Sequence, residues 1–145
     1  MHLYTRFLVL VGLALSYNPS AAVNYAKAHC KSYNYNYNTY PGADCANFVS
    51  QCLIAGGLSL SGCDGLDNKG AIPYVPNLIN CIKRKGWSGH GSRPSCFKAG
   101  YPFFMNAYQH AMLALSISGN SVYYAGHTRD RCGEIPISSG VTYYC

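Results

Sequence analysis

The sequence predicts an α+β fold in one domain, helices first and an antiparallel sheet after them. Three observations carry that expectation. Apolar residues recur at helical spacing only in the earlier part of the chain, across residues 21–28, 48–55 and 78–82. Short β-type runs follow: Phe103-Phe104, Ala111-Met112-Leu113-Ala114-Leu115 and Val122-Tyr123-Tyr124-Ala125, with Ile135 and Val141-Thr142-Tyr143-Tyr144 as two further candidates. Gly119-Asn120 stands between two of these runs as a two-residue hairpin loop. A chain of 145 residues is long enough for a full core, and no repeat or linker divides it.

Taken in order, residues 1–16 read as a secretory leader. Arg6 ends a short basic region, and Phe7-Leu8-Val9-Leu10-Val11-Gly12-Leu13-Ala14-Leu15 is apolar but too short to span a bilayer. Ala14-Leu15-Ser16 offers small residues for cleavage, which leaves 17–145 as the mature domain with no stable membrane insertion. Asn18-Pro19 then opens a helix, with Asn18 as cap and Pro19 in the first helical position. The alternating Tyr33-Asn34-Tyr35-Asn36-Tyr37-Asn38 has no helical period and reads as an extended loop.

The next helix carries the chemistry. Pro41-Gly42 turns the chain before it and Gly56-Gly57 closes it. Asp44 is a good N-cap, which puts Cys45 in the first turn, where amide groups and the helix dipole favour a thiolate. Pro76 opens a third helix, Leu78, Ile79 and Ile82 share one face, and Gly86 stops it. Lys83-Arg84-Lys85 suits its solvated last turn better than a nucleic-acid patch. The net charge of +6 is otherwise spread thinly, and there is no phosphate loop, aromatic-basic stripe or C-x-x-C pair, so no nucleic acid, metal or cofactor is expected.

Eight cysteines in an exported chain imply an oxidising compartment. If Cys45 is a free thiol, seven remain, and an odd number cannot all pair. Cys52 lies two turns along the same buried face and can serve as a small apolar side chain. Cys30, Cys63, Cys81, Cys96, Cys132 and Cys145 then form three disulfides of open connectivity. In the hairpin, a Gly119-Asn120 loop opposes Met112 to His127, which puts His110 and His127 side by side on one face. A slip of one residue would separate them. Two histidines beside an activated cysteine suggest a base and its orienting partner.

Three segments together resemble the putative amidase domain family, a relative of the NlpC-type and CHAP cell-wall peptidases with a papain-like core. They are Tyr17-Asn18-Pro19-Ser20-Ala21-Ala22-Val23-Asn24-Tyr25-Ala26, then Asp44-Cys45-Ala46-Asn47-Phe48-Val49-Ser50-Gln51-Cys52-Leu53 with Gly56-Gly57, then His110-Ala111-Met112-Leu113 with His127-Thr128-Arg129-Asp130-Arg131. The chain departs from the family pattern where Gly100 is followed by Tyr101 instead of Asp, in its short 101–109 loop and in its extra cysteines.

The resemblance implies Cys45 as nucleophile, His110 as base and His127 as the orienting third group. The Cys45 amide would supply half of an oxyanion hole, and the loop before it, at Tyr40, the other half. It further implies a secreted monomeric hydrolase acting on peptide amides, with peptidoglycan stem peptides as substrate. Two rivals stand against it. A disulfide-held binding protein on the same fold, without activity, would show no free thiols; a zinc amidase would use His110, His127 and a cysteine such as Cys132, but the usual helical two-histidine motif is missing.

Overall fold

The computed structural model describes residues 16–145, so the leader expected over 1–16 lies, save for Ser16, outside the described residues. Three helices come first: α1 (Pro19–His29), α2 (Cys45–Ala55) and α3 (Val75–Arg84). Six strands follow: β1 (Gly89–His90), β2 (Pro102–Met105), β3 (Ala111–Ser118), β4 (Ser121–Gly126), β5 (Arg131–Ile137) and β6 (Val141–Tyr144). They form one antiparallel sheet in the order β1-β6-β2-β3-β4-β5. Among the described residues no helix is long and apolar enough to cross a membrane.

Local chemistry sets the helix starts much as the sequence suggests. Asn18 Oδ1 accepts from the Ala21 amide at 3.1 Å, and Pro19 occupies the first turn of α1. Gly86 leaves α3 at φ +99°, a left-handed conformation that suits glycine. Strand β1 was not expected; it is only two residues long and exists through pairing Gly89 with Tyr144 and His90 with Tyr143.

Both faces of the central strands are covered. Helix α2 packs on β3 and against α1, so Cys45 and every residue from it to Leu53 is buried. Ala111, Leu113, Leu115 and Ala125 meet the helices, while Met112, Ala114, Val122 and Tyr124 belong to a second cluster with Phe97 and Tyr143. Coverage of both sides is why residues 111–115 read as one continuous apolar run. Three disulfides staple this body: Cys30–Cys132, Cys63–Cys81 and Cys96–Cys145. Cys45 and Cys52 are free and buried. The six expected bridge-formers and the two free thiols are thus those the parity argument names.

The hairpin register corrects one expectation. Ser118 opposes Ser121 and Ile117 opposes Val122, as a Gly119-Asn120 loop requires. A bulge between Ala114 and Ser116 then adds one residue to β3, so Leu113 faces Ala125. Every pair beyond the bulge is displaced by one, and His110 and His127 fall on opposite faces instead of sharing one.

Candidate active site

Cys45 is the first residue of α2 and 7% exposed, opening onto a pocket of ≈310 Å³ that His110 also lines. His110 sits immediately before β3, half-buried, its ring stacked on Tyr108 with centroids 6.0 Å apart. Burial first, and the Arg129 charge second, hold its imidazole below the ordinary histidine value. Two of the sequence-predicted site residues are therefore brought to one pocket. Cys52 is different: complete burial pushes its thiol well up, so it stays protonated and inert.

Asp44 is buried but does not cap α2 with its side chain. Its Oδ1 accepts from the Tyr40 amide at 2.9 Å and from Asn47 Nδ2 at 3.0 Å. Its Oδ2 meets His127 Nδ1 at 2.5 Å. Both carboxyl oxygens are taken up by these three partners and not by the amides of the first turn. The helix start beside Cys45 is consequently left without a side-chain cap.

His127 is not beside His110. Its ring lies between those of Tyr33 and Phe48, with centroid distances of 4.0 and 3.9 Å. Its Nε2 donates to the His29 carbonyl at 2.8 Å, since a carbonyl can only accept. Its Nδ1 is engaged by the Asp44 carboxyl. Both nitrogens of His127 are committed, which leaves none to orient His110.

Tyr40 does not reach the pocket either. Its amide goes to Asp44 and its hydroxyl donates to Asp67 Oδ2 at 2.8 Å. What the sequence reading left without a role are Arg129 and Arg131, which line the pocket with Cys45, and Tyr33, which holds Asp130 through a 2.9 Å bond from its hydroxyl. The arginines lie in the motif that follows His127, yet a turn of charged residues ordinarily reads as solvated surface.

Residues 16–67 match the family model described as "Putative amidase domain". The match takes in α1, Asp44 and the whole of α2, and it ends before His110 and His127. Amide-bond hydrolysis is the activity this match points to. No curated protein and no solved structure gives a significant match.

Next to this pocket lies a second concavity lined by Val75, Ile79 and Met105, sharing Val75, Tyr108 and Gln109 with the first. Tyr74 and Tyr108, both more than half exposed, stand at the rim. The second concavity is the more apolar of the two, through Val75, Ile79 and Met105.

Proposed function

We propose that the chain is a secreted cysteine-dependent amidase or peptidase with a papain-like catalytic arrangement. His110 takes the proton of Cys45, and the thiolate attacks the amide carbonyl to form a thioester. The protonated imidazole hands its proton to the departing amine, and water then releases the acid. Amides of the first turn of α2, free of a side-chain cap, supply the oxyanion stabilisation. The single observation that carries this reading is a free cysteine at a helix start, sharing a pocket with a histidine that burial favours in its neutral form.

Two free thiols among eight cysteines favour the enzyme over a disulfide-held binding protein, for which none is expected. We place the activity outside the cell, where the three bridges persist, and take peptides of peptidoglycan as the substrate. The Cys45 pocket and the adjoining concavity at Ile79 and Met105 could together take a peptide. The experiment is mass spectrometry of products from intact and digested peptidoglycan, using the mature protein and Cys45→Ala. New amine and carboxyl ends made by the first and not the second support the reading. Equal products from both would refute it.

A further inference from the structure

We propose that Arg129 and Arg131 form a carboxylate-recognition site beside Cys45, so that the preferred substrate is an amide carrying a free carboxylate close to the bond that is cut. This rests on the reading of the Cys45 pocket as the place where an amide is hydrolysed.

The pocket's charge is one-sided. Arg129 and Arg131 line it beside His110, whose neutral form burial favours, and no Asp or Glu does. The remaining arginines among the described residues are both docked: Arg84 donates to the Gly62 carbonyl at 2.6 Å and Arg93 to that of Gly119 at 2.6 Å. Lys31 and Lys85 are engaged as well, with Glu134 and the Ser61 carbonyl. By contrast, Arg129 and Arg131 form no salt bridge or side-chain hydrogen bond among the described residues. Two forks with five N–H donors each are left facing a pocket that holds no anion of its own.

The turn that presents them is built rigidly. Thr128 has φ +84° and Asp130 φ +46°, so left-handed non-glycine residues flank Arg129 on both sides. For the β-branched Thr128 this backbone is a genuine outlier, and such strain persists only where neighbours enforce it. The neighbours are evident. His127 is anchored on Asp44 and the His29 carbonyl, Asp130 is held by the Tyr33 hydroxyl, and Cys132 is stapled to Cys30. Arg131 opens β5, paired with Gly126. A solubilising surface turn has no need of such fixing, whereas bidentate recognition of a planar carboxylate does.

The test reads Cys45 with two alkylating agents that differ in charge. Iodoacetate and iodoacetamide both lose iodide to the same thiolate, so the ratio of their rates is independent of how much thiolate is present. Measured against N-acetylcysteine in low salt, the protein should raise that ratio about fivefold, the gain of one unit charge pair at contact in water. Added salt should reduce it. Arg129→Gln and Arg131→Gln should each lower it, and Arg129→Glu should bring it below the free-thiol value. A ratio equal to that of the free thiol, or unmoved by these changes, overturns the inference while leaving Cys45 as a nucleophile. If Cys45 reacts with neither reagent, the nucleophile reading falls instead. Titration of Cys45→Ala with acetyl-Ala-Glu-Ala-amide and acetyl-Ala-Gln-Ala-amide then decides the inference: tighter binding of the glutamyl peptide, lost in the double arginine-to-glutamine background, upholds it, and equal binding overturns it.

Discussion

The carboxylate of Asp44 and the ring of His127 meet at 2.5 Å, each side chain 2% exposed, directly behind the residue that opens α2. The contact ties the start of α2 to the end of β4 through two residues 83 positions apart in sequence. Cys45 follows Asp44 without an intervening residue, so whatever fixes Asp44 also fixes the backbone of the thiol.

Breaking this pair from one side leaves a buried polar group without its partner. His127→Ala should therefore cost about 3–5 kcal/mol, read by urea denaturation with the disulfides intact. His127→Asn, which keeps one donor for Asp44, should cost less. The double variant Asp44→Asn/His127→Gln should lose less than the two single losses added together, because the residues share one contact. Strict additivity, or a loss under about 1 kcal/mol for His127→Ala, would show that the pair is not what holds the helix start.

The two free thiols should separate by access. Iodoacetamide should label Cys45 alone in the folded protein and both Cys45 and Cys52 in denaturant, as counted by intact mass. Cys52 is wholly buried with its thiol kept protonated, so it can react only on unfolding. Labelling of Cys52 at a rate near that of Cys45 under native conditions would contradict the packing of α2.

Among the staples, Cys30–Cys132 spans 102 positions and Cys63–Cys81 spans 18. Longer loops lose more freedom when closed, so removing the first bridge by Cys30→Ala/Cys132→Ala should cost more than removing the second, within the usual range of about 2–5 kcal/mol. It should also lower the iodoacetate preference at Cys45, since Cys132 follows Arg131. Preservation of that preference would mean that the turn is held by Tyr33 and His127 alone.

Much of this architecture is legible in the sequence because it rests on local signals. Asn18-Pro19 starts α1, Pro76 lies in the first turn of α3, one residue after its start at Val75, and the spacing of Cys45 and Cys52 puts both on a buried face of α2. Gly119-Asn120 closes the hairpin as its residue types demand. What is not legible depends on distant contacts. The bulge near Leu115 inserts one residue into a strand covered on both faces, and nothing in Ala114-Leu115-Ser116 marks it. That residue is enough to part the two histidines. The role of Asp44 is hidden for a similar reason. Its residue type suits a cap, and only the fold brings His127 close enough to claim the carboxylate. Tyr33 looks like one tyrosine in a polar repeat until its ring is seen stacked on His127.

The last expectation concerns the acid side of the pH profile. In the proposed role of base His110 must be neutral, and both burial and the Arg129 charge disfavour its protonated form. Its folded value is lowered, so the neutral ring persists below the ordinary histidine midpoint of about 6.5. The rate of amide hydrolysis should accordingly hold up at pH values where an unperturbed histidine would already be protonated, and fall only beneath them. Arg129→Gln removes the second cause but not the first, so the acid limb should move part of the way back up. Arg131→Gln serves as the comparison, because burial and Arg129 are the causes acting on His110. His110→Ala should reduce hydrolysis by roughly 10²- to 10⁴-fold, and His127→Asn should leave the position of the limb unchanged while lowering stability. The same linkage has a sign for folding: a histidine that the fold keeps neutral withdraws stability as pH drops through its unfolded value. Removing it by His110→Ala should then flatten the loss of stability on acidification. An acid limb that follows His127 substitutions and ignores those at His110 and Arg129 would show that the buried ring, and not the one in the pocket, governs the thiol.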